Sequence, residues 1–196
     1  MNRLKQTSTL PVTALLVLAV SALRTDPVLA ADSDAGKIAR GKYLVTTSAC
    51  NDCHTPWHIG PAGPEPDMSR MLSGHPESMV IRQPATLASG PWTLAATPTN
   101  TAWSGPWGVS FTANLTPDAE TGLGKWTQAT FMQAIRTGRH MGRGRQILPP
   151  MPFAMYRNFT DEDLAAIFAY LRSIPPVKNR VPEPLPPIAT AVAAEK

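Results

Sequence analysis

The residues that could do chemistry in this chain lie together in one short motif, Cys50-Asn51-Asp52-Cys53-His54. Its spacing is the C-x-x-C-H pattern by which two cysteine thiols bond covalently to haem c. The two thiols lie one tight turn apart, and His54, directly after Cys53, would supply an imidazole nitrogen to the iron. The motif therefore predicts one covalently bound haem c, attached through Cys50 and Cys53, with His54 as the proximal iron ligand.

Two other kinds of site use cysteines at this spacing. A thioredoxin-like dithiol expects a βαβ context, whereas this sequence is helical and rich in loops. A structural zinc site could use Cys50, Cys53, His54 and His58, but His54 directly follows a ligand and would be awkwardly placed. The chain holds only two Cys and four His, and we favour haem attachment over both alternatives.

A six-coordinate iron needs a second ligand on its other face, and composition does not choose it. Local stiffness favours Met151, because Pro149, Pro150 and Pro152 fix the backbone around it. Filling a gap in an apolar core is the commoner use of methionine, and this alternative stays open at this point. The full set of candidates is Met68, Met71, Met79, Met132, Met141, Met151, Met155, His58, His75 and His140.

Three helices are predicted to position the motif and its partner loop. They cover residues 34–48, 127–137 and 160–174, and the first runs directly into Cys50. Asp32 or Ser33 could cap the first helix, while Thr127 and Thr160 are the predicted caps of the other two. We therefore expect an all-α fold with little or no sheet.

The stretch between the motif and the second helix is different. Residues 55–110 are rich in Pro and Gly and predict a long irregular loop. Trp57, Trp92, Trp103 and Trp107 lie in it, and a disordered linker would lack such residues. Loops of this length are uncommon unless they are functional, and a large apolar cofactor would give this one something to wrap.

The N-terminus predicts export. A basic start and an apolar run from Val12 to Leu23 are typical of a secretory signal peptide over residues 1–30, with cleavage between Ala30 and Ala31. The run is too short to span a bilayer comfortably, although an uncleaved anchor stays an alternative. We expect a periplasmic protein without an integral membrane segment after cleavage, with its domain over residues 31–180 and a Pro-rich tail over residues 181–196.

The charge of the chain argues against nucleic acid as a partner. Loss of residues 1–30 would lower the formal net charge from +4 to +2, which is too weak for a nucleic-acid binder. One basic cluster remains, formed by Arg136, Arg139, Arg143 and Arg145. We interpret it either as a patch for docking or for the haem propionates, or as a solvated loop.

Taken together, these features resemble the class I cytochrome c family. The resemblance rests on a helix leading into C-x-x-C-H, a loop with a Met-Pro pair at Met151-Pro152, and a final amphipathic helix. Residues 36–180 are also similar to the cytochrome c subunits of membrane-associated alcohol and sugar dehydrogenases. The segments that carry this similarity are 114–118, 121–126, 134–138, 151–156, 161–164 and 170–171.

This resemblance implies a cytochrome c fold in which Met151 is the distal iron ligand. It also makes Trp126 and Arg136 candidate contacts of the haem propionates, with Asn114 a weaker one. The chain departs from those subunits in two ways: it has one C-x-x-C-H motif where they usually have several, and its loop over residues 55–110 is longer than in small class I cytochromes. The role of that loop does not carry over.

The expected function is one-electron transfer in the periplasm rather than catalysis. The expected redox partners are a dehydrogenase as electron donor and an oxidase or another cytochrome as acceptor. Two alternatives stay open. The first is a haem c enzyme or sensor with an open distal site, and the second is an obligate cytochrome subunit of a dehydrogenase complex.

Overall fold

The computed structural model describes residues 33–86 and 90–187. The predicted signal peptide over residues 1–30, its cleavage point, the alternative cap Asp32 and the end of the predicted tail at residues 188–196 lie outside the described residues. Within them the chain forms α1 (Asp34–Thr47), α2 (Cys50–His54), α3 (Gln128–Thr137), α4 (Phe153–Tyr156) and α5 (Asp161–Ser173). No helix of this part of the chain is long and apolar enough to cross a membrane.

Capping residues explain where the longer helices begin and end. The Thr127 hydroxyl accepts a hydrogen bond from the N–H of Thr130 (3.1 Å) at the start of α3, and Gly138 ends that helix with a left-handed φ of 66°. The Thr160 hydroxyl accepts from the N–H of Asp163 (3.1 Å) at the start of α5. Both predicted caps are therefore confirmed, and each satisfies a backbone donor that the helix leaves free.

The first and last helices cross and form the centre of the core. Gly41, Leu44 and Val45 are the buried residues of α1, and Leu164 and Leu171 of α5 are each 1% exposed. Burial of such apolar side chains is the main favourable term in folding. The crossing of α1 and α5 thus provides the rigid base from which α2 extends.

The prediction of an all-α fold with little or no sheet is wrong. The insertion, which we define as residues 55–111, contains β1 (Trp57–Gly60) paired with β2 (Gly63–Pro66). It also contains a second antiparallel sheet in the order β3 (Ala95–Ala96), β4 (Ala102–Gly105) and β5 (Gly108–Phe111). Pairing satisfies backbone groups that a packed loop would otherwise bury without partners. These strands have at most four residues, too few for apolar and polar positions to show a clear alternation.

The C-terminal segment, residues 175–187, runs back over the insertion. Asn179 Nδ2 donates to the carbonyls of Ser73 (2.7 Å) and His75 (2.8 Å). Further along, Leu185 and Val109 exchange backbone hydrogen bonds of 2.9 and 3.0 Å. Up to Pro187, therefore, this segment is packed against the insertion.

Candidate functional site

One cavity of about 490 Å³ lies between the helices, the end of the insertion and the C-terminal segment. Its wall includes the whole predicted chemistry: Cys50, Cys53, His54 and Met151 all line it. Much of the remaining lining is apolar, including Val45, Leu115, Leu123, Phe131, Ile135, Leu164, Ile167 and Leu171. Cofactor pockets are typically cavities of about 300–1,000 Å³ with apolar walls and few polar groups, so this cavity suits a large flat cofactor.

The motif itself is helical. Ala49 takes a left-handed conformation (φ 58°) between α1 and α2, and Cys50–His54 then form the five-residue helix α2. In a helix, residues three apart lie on one face, so Cys50 and Cys53 are on the same side. The local turn thus brings both thiols to the same cavity.

His54 is buried and has its tautomer set by the backbone. The ring is 9% exposed, and Nδ1 lies 2.8 Å from the carbonyl oxygen of Ala113. A carbonyl only accepts, so Nδ1 donates and the lone pair belongs to Nε2. Burial lowers the pKa of His54, and the Ala113 hydrogen bond offsets this in part. The imidazole is therefore neutral near pH 7, the state in which histidine binds a metal.

The two thiols are free and partly buried. Burial raises the pKa of Cys50 to about 11, and burial raises the pKa of Cys53 as well. At neutral pH both are thiols rather than thiolates. This argues against a reactive dithiol, in which a low cysteine pKa is the usual sign.

The structure separates the candidates for the distal ligand. Met151 and His140 line the cavity, and the other eight candidates are not among its lining residues. Two of these eight have roles elsewhere. His75 is 0% exposed, and its Nε2 donates to the carbonyl of Met79 (2.9 Å), whereas His58 lies 3.4 Å from Glu65 on the hairpin of β1 and β2.

The predicted propionate contacts occupy different environments. Trp126 lines the cavity, and its ring packs edge-on against His140 with centroids 5.3 Å apart. Arg136 is not among the lining residues; its guanidinium donates to the carbonyl of Arg157 and to Asp161 (2.5 Å). Asn114 lines the cavity, but its amide donates to the carbonyl of Val177 (2.8 Å) and so supports the C-terminal segment.

Several cavity groups were not singled out as site residues from the sequence. Arg145 and Arg180 both line the cavity, and Arg145 pairs with Glu183 of the C-terminal segment at 2.9 Å. The basic cluster around Arg136 pointed to Arg145, whereas nothing in the sequence pointed to Arg180. The Thr112 hydroxyl, also from a lining residue, is buried without a hydrogen-bond partner among the described residues. These groups give an otherwise apolar cavity a few polar points.

The rival sites find no support. Within residues 33–86 and 90–187, no group of three or more His, Cys, Asp or Glu side chains is placed to hold a metal ion. The paired strands are antiparallel, not the parallel pair of a βαβ unit. Two thiols, a neutral imidazole and a thioether around one apolar cavity instead fit a covalently bound haem.

Comparison with known proteins agrees with this geometry. The family model described as Cytochrome c matches residues 38–175. The chain is 26% identical to the fructose dehydrogenase cytochrome subunit of Gluconobacter japonicus, over 99% of this chain and 33% of that protein. It is also 26% identical to the cytochrome c subunit of the quinone alcohol dehydrogenase of Gluconobacter oxydans, over 79% of this chain and 25% of that protein.

A shorter stretch has higher identity to a third relative. Over 77 residues the chain is 42% identical to a nicotinate dehydrogenase subunit of Pseudomonas putida, which covers 39% of this chain and 6% of that protein. The chain thus spans a third or less of the length of these three relatives. The expected resemblance to cytochrome subunits of alcohol and sugar dehydrogenases is confirmed, as is the expectation of an electron carrier rather than an enzyme.

Proposed function

The chain belongs to the cytochrome c family, and on that premise we propose that it is a periplasmic electron-transfer protein with one covalently bound haem c and His54 and Met151 as axial iron ligands. The observation that carries the proposal is the meeting of Cys50, Cys53, His54 and Met151 around one apolar cavity. The single C-x-x-C-H motif supports one haem.

In this proposal each residue has a separate task. Haem, when bound, supplies one-electron chemistry at its iron. Cys50 and Cys53 form the two thioether bonds that hold it, and the Ala113 carbonyl orients the His54 ring. Met151 supplies a thioether, which favours the reduced iron and raises the potential above that of a bis-histidine site. The apolar wall excludes water, and with both axial positions filled, substrate chemistry at the iron is not expected.

Propionate recognition would use donors in the cavity wall. We propose Trp126 together with the basic side chains of Arg145 and Arg180, because all three line the cavity. An Arg guanidinium pairs well with a carboxylate, since its N–H donors can bind both oxygens. The role predicted for Arg136 stays a prediction; its guanidinium also contacts Asp161.

The visible spectrum of the protein matured with covalent haem tests the ligation. Ferric iron with His and Met ligands has a weak far-red charge-transfer band, which we expect in the wild type and expect to disappear in Met151→Ala. His140→Gln is the matched control, because His140 is the other candidate in the cavity wall, and it should keep the band. Loss of the band in the His140 variant alone would assign that residue instead. A high-spin spectrum in the wild type would favour the enzyme or sensor with an open distal site.

We further propose that the redox partners are a dehydrogenase as donor and another cytochrome or an oxidase as acceptor. The names of the relatives support a dehydrogenase partner. They also favour a second candidate function, that of an obligate subunit of such a complex. Size-exclusion chromatography of native extract at low and high salt separates the two. A free carrier elutes near its own 21.1 kDa, whereas a large complex that survives high salt would establish the second function.

The periplasmic location rests on the predicted signal peptide. In this proposal residues 1–30 direct export and are then removed. N-terminal sequencing of the haem-containing protein recovered from the periplasmic fraction should start at Ala31. A chain that retains residues 1–30 in the membrane fraction would instead support the uncleaved anchor.

A further inference from the structure

The insertion makes a direct contact with the loop that carries Met151. Ser110, in β5, lines the cavity and is 7% exposed. Its hydroxyl donates to the carbonyl oxygen of Pro149 at 2.5 Å. A residue 39 positions away in sequence thus holds the Met151 loop, which we define as residues 148–152.

The Met151 loop has few other ways to be held. Pro149, Pro150 and Pro152 have no N–H, so most of the loop cannot donate backbone hydrogen bonds. Its backbone partners are close in sequence: the N–H of Phe153 donates to the carbonyl of Met151 (2.9 Å). Among the described residues, Ser110 is the one hydrogen-bond partner of this loop that comes from outside the loop and α4.

Ser110 itself is held by its own sheet. It pairs with Trp103 across β4 and β5, and the indole N–H of Trp107 donates to its hydroxyl oxygen (3.3 Å). The same oxygen lies 3.4 Å from the Trp103 carbonyl. A donor fixed in a paired strand loses little freedom when it bonds, so its hydrogen bond restrains the acceptor effectively.

The segment that follows Ser110 also reaches the other side of the cavity. Three residues on, the carbonyl of Ala113 accepts the hydrogen bond from His54 Nδ1. Between them, the Thr112 N–H donates to the carbonyl of Thr101 (2.9 Å), so the strand continues in place. Residues 110–113 therefore contact both elements that supply candidate ligands.

We propose that Ser110 is a positioning residue for Met151 and that the insertion acts as a brace for the Met151 loop. This rests on the proposed function, since it takes Met151 as the distal ligand. The Ser110 hydroxyl acts through the Pro149 carbonyl and does not touch the iron. Its removal leaves Met151 in the cavity wall but allows the loop to open more often.

Imidazole binding to the ferric holoprotein tests the proposal, because imidazole takes the distal position only when Met151 leaves. Loss of one hydrogen bond should raise the apparent imidazole affinity of Ser110→Ala by about three- to tenfold. Ser104→Ala is the matched control: Ser104 is 8% exposed in the neighbouring strand β4, and its hydroxyl accepts from the N–H of Ala85 (3.0 Å), not from the loop. It should bind imidazole as the wild type does. Trp107→Phe, which leaves the Ser110 hydroxyl in place, should show a smaller effect in the same direction.

Hydrogen exchange gives a second readout that does not depend on ligation. The amide of Phe153 should exchange faster in Ser110→Ala than in Ser104→Ala. If the wild type has the far-red band and the two Ala variants match in both readouts, the positioning role is overturned and the His/Met ligation stands. If the wild type lacks the band, both the ligation and the role of Ser110 as a ligand-positioning residue fall, whatever the exchange rates.

Discussion

The two nitrogens of His54 have different tasks because a single carbonyl fixes one of them. The hydrogen bond from Nδ1 to Ala113 (2.8 Å) leaves the lone pair on Nε2. Burial keeps the ring neutral by lowering its pKa. One backbone contact therefore orients the side chain and sets its tautomer, which is how partners beyond the metal commonly tune a histidine ligand.

A second buried histidine, His75, makes stability depend on pH. Its ring is 0% exposed, Nδ1 lies 3.0 Å from the Thr101 hydroxyl, and Nε2 donates to the Met79 carbonyl. Burial lowers its pKa, against a smaller raising effect of the Met79 hydrogen bond. The unfolded chain therefore binds a proton that the folded protein does not. Stability should fall as the pH drops from about 6.5, the ordinary histidine pKa, toward the lower pKa of the folded state.

His75→Gln tests this at the residue scale. The variant should lose about 1–2 kcal/mol of unfolding free energy at pH 7.5, because one buried hydrogen-bond partner is removed. Its free energy should then depend less on pH between about 7 and 5 than that of the wild type. Urea unfolding of the holoprotein at several pH values measures both. His58→Gln, at an exposed histidine, is the control, and an identical pH profile for the two variants would contradict the prediction.

At the scale of elements, the crossing of α1 and α5 depends on one glycine. A Cβ at Gly41 would lie 1.9 Å from the carbonyl oxygen of Ala166 and 2.8 Å from Cβ of Tyr170. Real atoms cannot approach so closely, so any side chain here pushes the helices apart. The predicted periodicity of the two helices indicated their buried faces, but the close contact at Gly41 follows only from their packing.

Gly41→Ala should therefore destabilise the protein although alanine is the better helix former. The expected loss is about 2–3 kcal/mol, the usual cost of overpacking a filled core. Lys42→Ala, at the neighbouring exposed position of α1, should change the unfolding free energy by less than about 0.5 kcal/mol. Equal urea midpoints for the two variants would contradict the tight crossing.

The insertion shows why short strands escape prediction. β2 contains Pro64 and Pro66, and proline in a run normally argues against a strand. β5, by contrast, is buried at three consecutive residues, Gly108–Ser110, and so shows no alternation. The Pro and Gly content correctly indicated turns, but the pairing of the segments between those turns depends on contacts with the rest of the molecule.

At the scale of the whole molecule, Asn179 joins segments that lie far apart in the chain. It is 4% exposed, donates to the carbonyls of Ser73 and His75, and accepts from the N–H of Glu77 (2.9 Å). Its neighbours Arg180–Pro184 line the cavity. The C-terminal segment thus completes the cavity wall through one buried amide.

Asn179→Ala should leave those three backbone groups without partners and cost about 2–3 kcal/mol. Limited trypsin digestion should cleave the variant faster after Lys178 or Arg180, because the segment is released from the insertion. Asn158→Ala is a suitable control: Asn158 is exposed and bonds only to carbonyls of its own helix end. Cleavage at the control rate would show that Asn179 does not anchor the segment.

The chemistry and the local structure of this protein follow from the sequence alone. The C-x-x-C-H motif, the caps at Thr127 and Thr160, and the end of α3 at Gly138 are all properties of neighbouring residues. Such features depend on contacts within one or two turns of chain, so they can be predicted before the fold is known. The identification of the family followed from the same residues and their order.

Which groups surround the cavity, by contrast, depends on the tertiary structure. The fold narrows ten distal candidates to Met151 and His140, places the Ala113 carbonyl against His54, and brings Ser110 to Pro149. Backbone carbonyls have no signature in a sequence, and the partners in these contacts lie tens of residues apart. Their meeting follows from how α1 and α5 cross and how the insertion and the C-terminal segment close over them.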